Sequence, residues 1–360
     1  MINLKEFLKN LTFIPCVAGY ESQNAEKIKN LCLDFAKGFF THAFITNSNS
    51  VVLKRECKKE NANKLVFDAH IDQIGFNVSE ICDGGYLRLN PLGGIDSNLV
   101  AASEVLILGK NTDLRGVFTS VPPHLSKSDK LPEISEMLVD TSLDDKTIND
   151  NVLVGTPCVF LPQFTSLLDT RVSATALDDK VCIAAIMQAI KTMDASQLEN
   201  TDIYVYLSSY EERGGKGSYF MYDQIKPDAA IILDVNFAKE KTSTDGEYGL
   251  LSKGPMLSYS SVTSNKLTRF INECAKKNGI PIQPVNEMKY TGTNADVAAR
   301  MGQGTACAVV SVPIKYMHSP VELCDMQDVL TTAKLLCEFA YMFDKSDIAK
   351  PLYYKGGNLK

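Results

Sequence analysis

Four apolar runs in this chain end in, or run on to, side chains that can bind a metal ion. "KLVFDAH" closes at His70, "DIYVYLSSYEE" reaches Glu211 and Glu212, "AAIILD" closes at Asp234, and "TACAVVSVPIKYMH" reaches His318. Each run has the length and the branched or aromatic content of a strand. In open α/β sheets, functional groups collect at the carboxyl ends of strands. Taken singly, a carboxylate there is more often a helix cap or a solvated loop residue, and a lone histidine is more often a satisfied, half-buried one. It is the set of four strand ends that selects the metal reading.

A fifth candidate comes from a repeated tetrapeptide. "LDDK" occurs in "SLDDKTIND" and again in "ALDDKVCIA". The first copy runs on into polar "TINDN", which offers no apolar face, and reads as a loop or a helix cap. The second precedes about ten apolar residues, which puts Asp178 and Asp179 at the start of a buried helix, where free N–H groups and the helix dipole hold a carboxylate ionised. Asp178 is therefore the candidate, and Asp144 is not. Asp178, Glu212 and Asp234 supply about three negative charges and His70 and His318 are neutral donors, a set suited to two divalent cations sharing one carboxylate. The absence of thiolate favours zinc, cobalt or manganese. Glu211 and Glu212 point different ways, so one can face a metal and the other a water as general base. Asp72, two residues past His70, could accept the second imidazole N–H and fix its tautomer.

The elements that must position these groups form two textures. Residues 2–37 have helical apolar spacing, with Leu4, Phe7, Leu8 and Leu11 on one face, and "AFITNSNSVVLKRE" and "KLVFDAHID" then read as strands. Between about residues 72 and 165, short β-like pieces ("EVLILG", "RGVFTS", "EMLVDT", "TPCVFLP") alternate with Gly, Pro, Asn and Asp, and a small all-β module is expected. After Asp178, helices and strands alternate, which predicts an α/β fold with a mostly parallel sheet. The expected layout is a catalytic domain over residues 1–72 and 166–345, an insertion over 73–165 and a carboxyl-terminal tail over 346–360, of which "KGGNLK" is expected to be disordered. The net charge of -6 and the lack of a basic run argue against nucleic acid as a partner. No apolar stretch reaches the roughly 18 residues that cross a bilayer. Ten cysteines without a CxxC pair read as reduced core thiols, and with no signal peptide the expected location is the cytoplasm.

"DAHIDQIGF", "ALDDK", "YEERGGKGS", "LDVNFAKE", "LSKGP", "TGTNAD" and "YMHSPVE" follow one another as in a known family. The chain resembles the co-catalytic metallo-aminopeptidases that include glutamyl and deblocking aminopeptidases, assemble as tetrahedral dodecamers built from dimers, and sometimes carry an endoglucanase label. The likeness covers nearly the whole chain. It implies a three-layer αβα metallopeptidase domain with an inserted PDZ-like β-barrel used in oligomerisation. It also implies cleavage of the amino-terminal peptide bond of peptides through a water bridged by two metals, zinc first among them. In that likeness Asp178 is the bridge, His70 and Asp234 complete one site, Glu212 and His318 the other, Glu211 is the base, and the Asp178–Asp179 peptide is cis.

The sequence departs from the family pattern at Gln73 where an acid is usual, at Lys180 for Arg, at Asn294 for Asp, and in "YEERGG", where Tyr210 and Arg213 flank the glutamates. Within hydrolases, a di-metal carboxypeptidase or an N-acyl amino acid amidohydrolase could use the same centre. From another class, an inactive assembly or binding relative would keep the shell, but no ligand or base is lost. A glycosidase would leave His70 and His318 idle, and "GGKGS" lacks P-loop spacing.

Overall fold

A computed structural model describes residues 2–122, 124–125, 132–243, 248–287, 290–301 and 304–348. The "KGGNLK" segment expected to be disordered lies outside the described residues, which end at Ile348. The main sheet has eight strands, in the spatial order His42–Ile45, Val51–Arg55, Thr201–Ser208, Asn63–His70, Ala229–Phe237, Cys307–Ile314, Met256–Ser260 and Gln283–Glu287. The four strands from Thr201–Ser208 to Cys307–Ile314 are mutually parallel. They are buried on both faces, which explains their unbroken apolar runs. In register, Ser208 lies opposite His70 and Asp234 opposite Ser311, so the candidate residues leave the sheet at one edge.

One face of the sheet is covered by the helices Leu4–Thr12, Ala25–Phe35, Leu177–Thr192, Asn265–Lys277 and Met326–Asp344. The other carries short helices around Met221, Tyr222, Ala295 and Ala298. The α/β architecture is as expected, with a mostly parallel centre. The initial stretch of helical spacing contains two α-helices joined through residues 13–24, and the stacked rings of Phe7 and Phe35 close that pair at 4.1 Å. Leu177–Thr192 is buried almost all round because it lies between the sheet and Met326–Asp344. Its sequence is accordingly apolar on every side instead of striped.

Between His70 and Asp178 the chain builds a closed six-stranded barrel from Gly75–Cys82, Tyr86–Leu92, Glu104–Ile107, Leu114–Phe118, Leu138–Asp140 and Pro157–Phe160. It has its own core, in which Phe76 packs on Phe118 and Phe160 with ring centroids 5.2 Å away in each case. Asp144 caps the helix Asp145–Asn151 of this module by accepting from Thr147 N at 2.8 Å, so of the two readings of the first "LDDK", loop or helix cap, it is the cap. A third sheet, unforeseen in the sequence, pairs Phe164–Ser166, Arg171–Ala174 and Glu322–Asp325 and returns the chain from the barrel to Asp178. Among the described residues no helix is long and apolar enough to cross a membrane. Phe76→Ala, which empties the centre of the barrel core, is expected to cost about 3–5 kcal/mol of stability in a denaturant melt.

Candidate metal centre and active site

The five proposed ligands converge. One ligand atom each from His70, Asp178, Asp179 and Asp234 lie within 4.8 Å of one another, and the same holds for Asp178, Glu212 and His318. Asp178 belongs to both groups. Its Oδ1 is 3.0 Å from His70 Nε2 and its Oδ2 is 3.2 Å from His318 Nε2. His70 Nε2 also lies 3.9 Å from Asp234 Oδ1, and His318 Nε2 lies 3.4 Å from Glu212 Oε1. Glu211 is in neither ligand group, yet it lines the same cavity of about 1080 Å³.

Both imidazoles are oriented by backbone. His70 Nδ1 donates to the Asp72 carbonyl at 2.9 Å and His318 Nδ1 to the Gly94 carbonyl at 2.9 Å. A carbonyl only accepts, so Nδ1 carries a hydrogen in each ring and Nε2 faces the carboxylates. The Asp72 carboxylate, expected to do this for His70, lies 3.7 Å from Nδ1. It accepts instead from Glu211 N at 3.0 Å and Glu212 N at 3.1 Å. The preceding amide, Tyr210 N, donates to the fully buried Glu21 at 3.0 Å. Three successive N–H groups of the glutamate loop are thus held by two buried carboxylates, and this aims adjacent side chains to different places.

Ala176 caps the helix two residues before Asp178, and the cleft is bordered by non-glycine residues with positive φ, Ala176 at 58°, Tyr210 at 59° and His318 at 62°. Such backbone recurs at functional sites because surrounding contacts must hold it. The Asp178–Asp179 peptide is cis. Regular helical dihedrals begin only after Asp179, so both aspartates sit at the helix mouth. Asp179 Oδ2 accepts from His70 N at 3.2 Å, and Glu322 accepts from Asp178 N at 3.0 Å and His318 N at 2.8 Å. Gly93, in the barrel, has φ +88°, and a Cβ there would fall 2.6 Å from Ile74 Cγ2 and 3.3 Å from Glu212 Oε2. The inserted module is thus part of the wall of the centre, although every proposed ligand lies outside it.

Crowding governs the protonation of these groups. Burial and the neighbouring Asp179 and Glu211 raise Asp234 well above the usual carboxylate range. Burial pushes Glu211 up to about 8, with Asp72, Glu212 and Asp178 adding to the rise against His70. For Asp178, burial is outweighed by hydrogen bonds from His318 and His70, which hold it low. Burial would lower His318, but Asp178 and Glu212 outweigh it and raise the ring to about 11. Mixed imidazole and carboxylate donors, repelling one another and sharing Asp178, fit divalent cations, which would offset that repulsion. Asp179 Oδ1, buried without a hydrogen bond, adds an unused acceptor beside His70.

Two of the sequence departures touch. Lys180 is fully buried, and its Nζ donates to Gln73 Oε1 at 2.7 Å and to the Ile14 carbonyl at 2.7 Å. Asn294 donates to Ser208 Oγ at 2.7 Å, and that hydroxyl in turn donates to Asp68 at 2.7 Å. Arg213 is exposed and outside the cavity lining. Sequence reasoning missed Glu322, Glu21 and Gly94. Glu322 stood inside the quoted "YMHSPVE", but its role depends on amides that no side-chain pattern marks.

A family model described as M42 glutamyl aminopeptidase matches residues 49–335. A lysyl aminopeptidase of Pyrococcus furiosus is 32% identical over 336 residues, 92% of this chain and 94% of that one. An aminopeptidase of the archaeon Desulfurococcus kamchatkensis superposes with TM-score 0.87 at 26% identity, over 99% of each chain. The Pyrococcus horikoshii TET1 peptidase, which can assemble into a tetrahedron or a large octahedral shell, has TM-score 0.80 at 29% identity over 94% of this chain and 99% of its own.

Glu322→Ala strips the buried amide of Asp178 and the half-buried amide of His318 of their acceptor and is expected to lose about 1–3 kcal/mol for the first and less for the second, read in a denaturant melt. Glu322→Gln, which keeps one carbonyl oxygen, is expected to lose less.

Proposed function

Since the chain belongs to the M42 glutamyl aminopeptidase family and is an aminopeptidase, a hydrolase of peptide bonds, we propose that His70, Asp178, Glu212, Asp234 and His318 hold two divalent cations and that Glu211 is the general base. The observation that carries this is the pose of Asp178, with one oxygen toward each histidine at 3.0 and 3.2 Å. It supports Asp178 as the bridge, His70 and Asp234 as one site and Glu212 and His318 as the other. Zinc suits the donors first, with cobalt or manganese as alternatives. Bound cations would polarise the scissile carbonyl and acidify the attacking water.

The remaining chemistry belongs to the chain. Glu211 takes the proton of the attacking water and delivers it to the nitrogen of the leaving peptide. A carboxyl raised by burial is suited to that exchange near neutral pH. Asp72 serves the reaction by holding the amides of Glu211 and Glu212, and so the aim of both side chains. Residues 1–72 and 166–345 form the catalytic domain in this reading, and 73–165 the oligomerisation module. The assembly of the TET1 relative supports a homo-oligomer, which we take to be a dodecamer built from dimers acting on peptides small enough to enter it. Free thiols at all ten cysteines, buried apart from Cys57 and Cys82, are compatible with a reducing cytoplasm.

A chelator is expected to abolish aminopeptidase activity, and readdition of zinc, cobalt or manganese to restore it. An active preparation free of bound divalent metal would overturn the metal assignment. Glu211→Gln is expected to retain metal and lose roughly 10²–10⁴ in turnover. Glu212→Gln is expected to lose metal and to recover partly in excess metal. Metal content and turnover measured together across a metal titration separate the two roles, and equal loss of metal by both variants would contradict them. Light scattering that finds only monomer would contradict the assembly.

A further inference from the structure

The names of the relatives join a glutamyl family to a lysyl enzyme, so the preferred amino-terminal side chain must be read from this chain's own cavity. Beyond the centre, the cavity runs along the strand that carries Asp234. Asn236 lies two residues on and therefore on the same face, about 7 Å further at 3.3–3.4 Å per residue. Its amide Nδ2 donates to Glu287 Oε1 at 3.2 Å, which fixes a half-buried carboxylate from the end of the neighbouring strand Gln283–Glu287 in the cavity wall.

That carboxylate differs in one respect from the other cavity carboxylate outside the centre. Asp296 is engaged by Thr291 N, Thr291 Oγ1 and Gly292 N, each at 3.0 Å, and so serves its own loop. Glu287 forms no ion pair among the described residues. The cavity's arginine, Arg300, is exposed and lies over the Tyr290 ring at 5.4 Å. Phe237, 57% exposed, and Met317 add apolar wall. A lysine stem of four methylenes spans about 6 Å. An amino-terminal residue anchored at the centre would lay such a stem along that wall and bring its cation to Glu287.

We infer that this cavity selects peptides whose amino-terminal residue is cationic, Lys or Arg, with Glu287 as the counter-charge and Asn236 as its positioning residue. The inference rests on the aminopeptidase reading above. Aminopeptidase rates on Lys, Arg, Leu and Glu p-nitroanilides, measured with metal-loaded oligomer, test it. The wild type is expected to favour Lys and Arg over Leu by at least 10-fold in kcat/KM. Glu287→Gln should lower the Lys-to-Leu ratio by roughly 10–100-fold, the loss expected when a charged hydrogen bond is removed, and Glu287→Asp should restore part of it. Free L-lysine should raise the melting temperature of the wild type more than free L-leucine does, and this difference should vanish in Glu287→Gln. A wild type that cleaves Leu or Glu at least as well as Lys, or a Glu287→Gln variant that keeps the wild-type ratio, would overturn the inference while leaving the aminopeptidase reading intact. Cleavage of none of the four would overturn both.

Discussion

The structure depends on holding seven carboxylates together in one cleft. Asp72, Asp178, Asp179, Glu211, Glu212, Asp234 and Glu322 gather there with two imidazoles. Two like charges 4 Å apart repel by about 4 kcal/mol at an effective dielectric of 20, so such a cluster persists only if donors are fixed in advance. The donors are largely backbone amides. Asp72 takes two from the glutamate loop, Glu322 takes those of Asp178 and His318, and Asp179 takes that of His70. The parallel strands matter because they end at one edge and turn their next N–H groups into the same space.

This division explains what the sequence made legible. His70, Glu212, Asp234 and His318 could be picked out because each follows an apolar run whose length and composition mark a central strand. Asp178 could be separated from Asp144 because only one copy of "LDDK" opens a buried helix. Apart from Asp72, beside His70, the supporting carboxylates left no such mark, because any residue can supply a backbone amide. Glu322 and Asp178 are 144 positions apart and Glu21 and Tyr210 are 189 apart, with no local pattern linking either pair. Gln73 and Lys180, read separately as departures, form one buried contact.

The elements divide in the same way. The strands buried on both faces were evident, whereas Gln283–Glu287 has a single buried residue, Val285, and is a strand because it pairs with Met256–Ser260. The barrel hairpin of Gly75–Cys82 and Tyr86–Leu92 was likewise hidden, since its alternation is broken by a bulge at Val78 and Glu80. The small sheet that sets Ala174 opposite Glu322 consists of strands of three or four residues, too short to show a period. That sheet nevertheless brings Glu322 to Asp178. Where pairing, not composition, makes an element, the chain alone is silent about it.

The hydrogen bond from His318 to the Gly94 carbonyl spans 224 positions and joins the inserted barrel to the cleft. Linkage makes such a bond reciprocal: whatever restrains the Gly93–Gly94 turn favours this orientation of the ring, and whatever fixes the ring restrains the turn by the same free energy. A displacement of the barrel turn would therefore be felt at the imidazole of the cleft, although the two lie far apart along the chain.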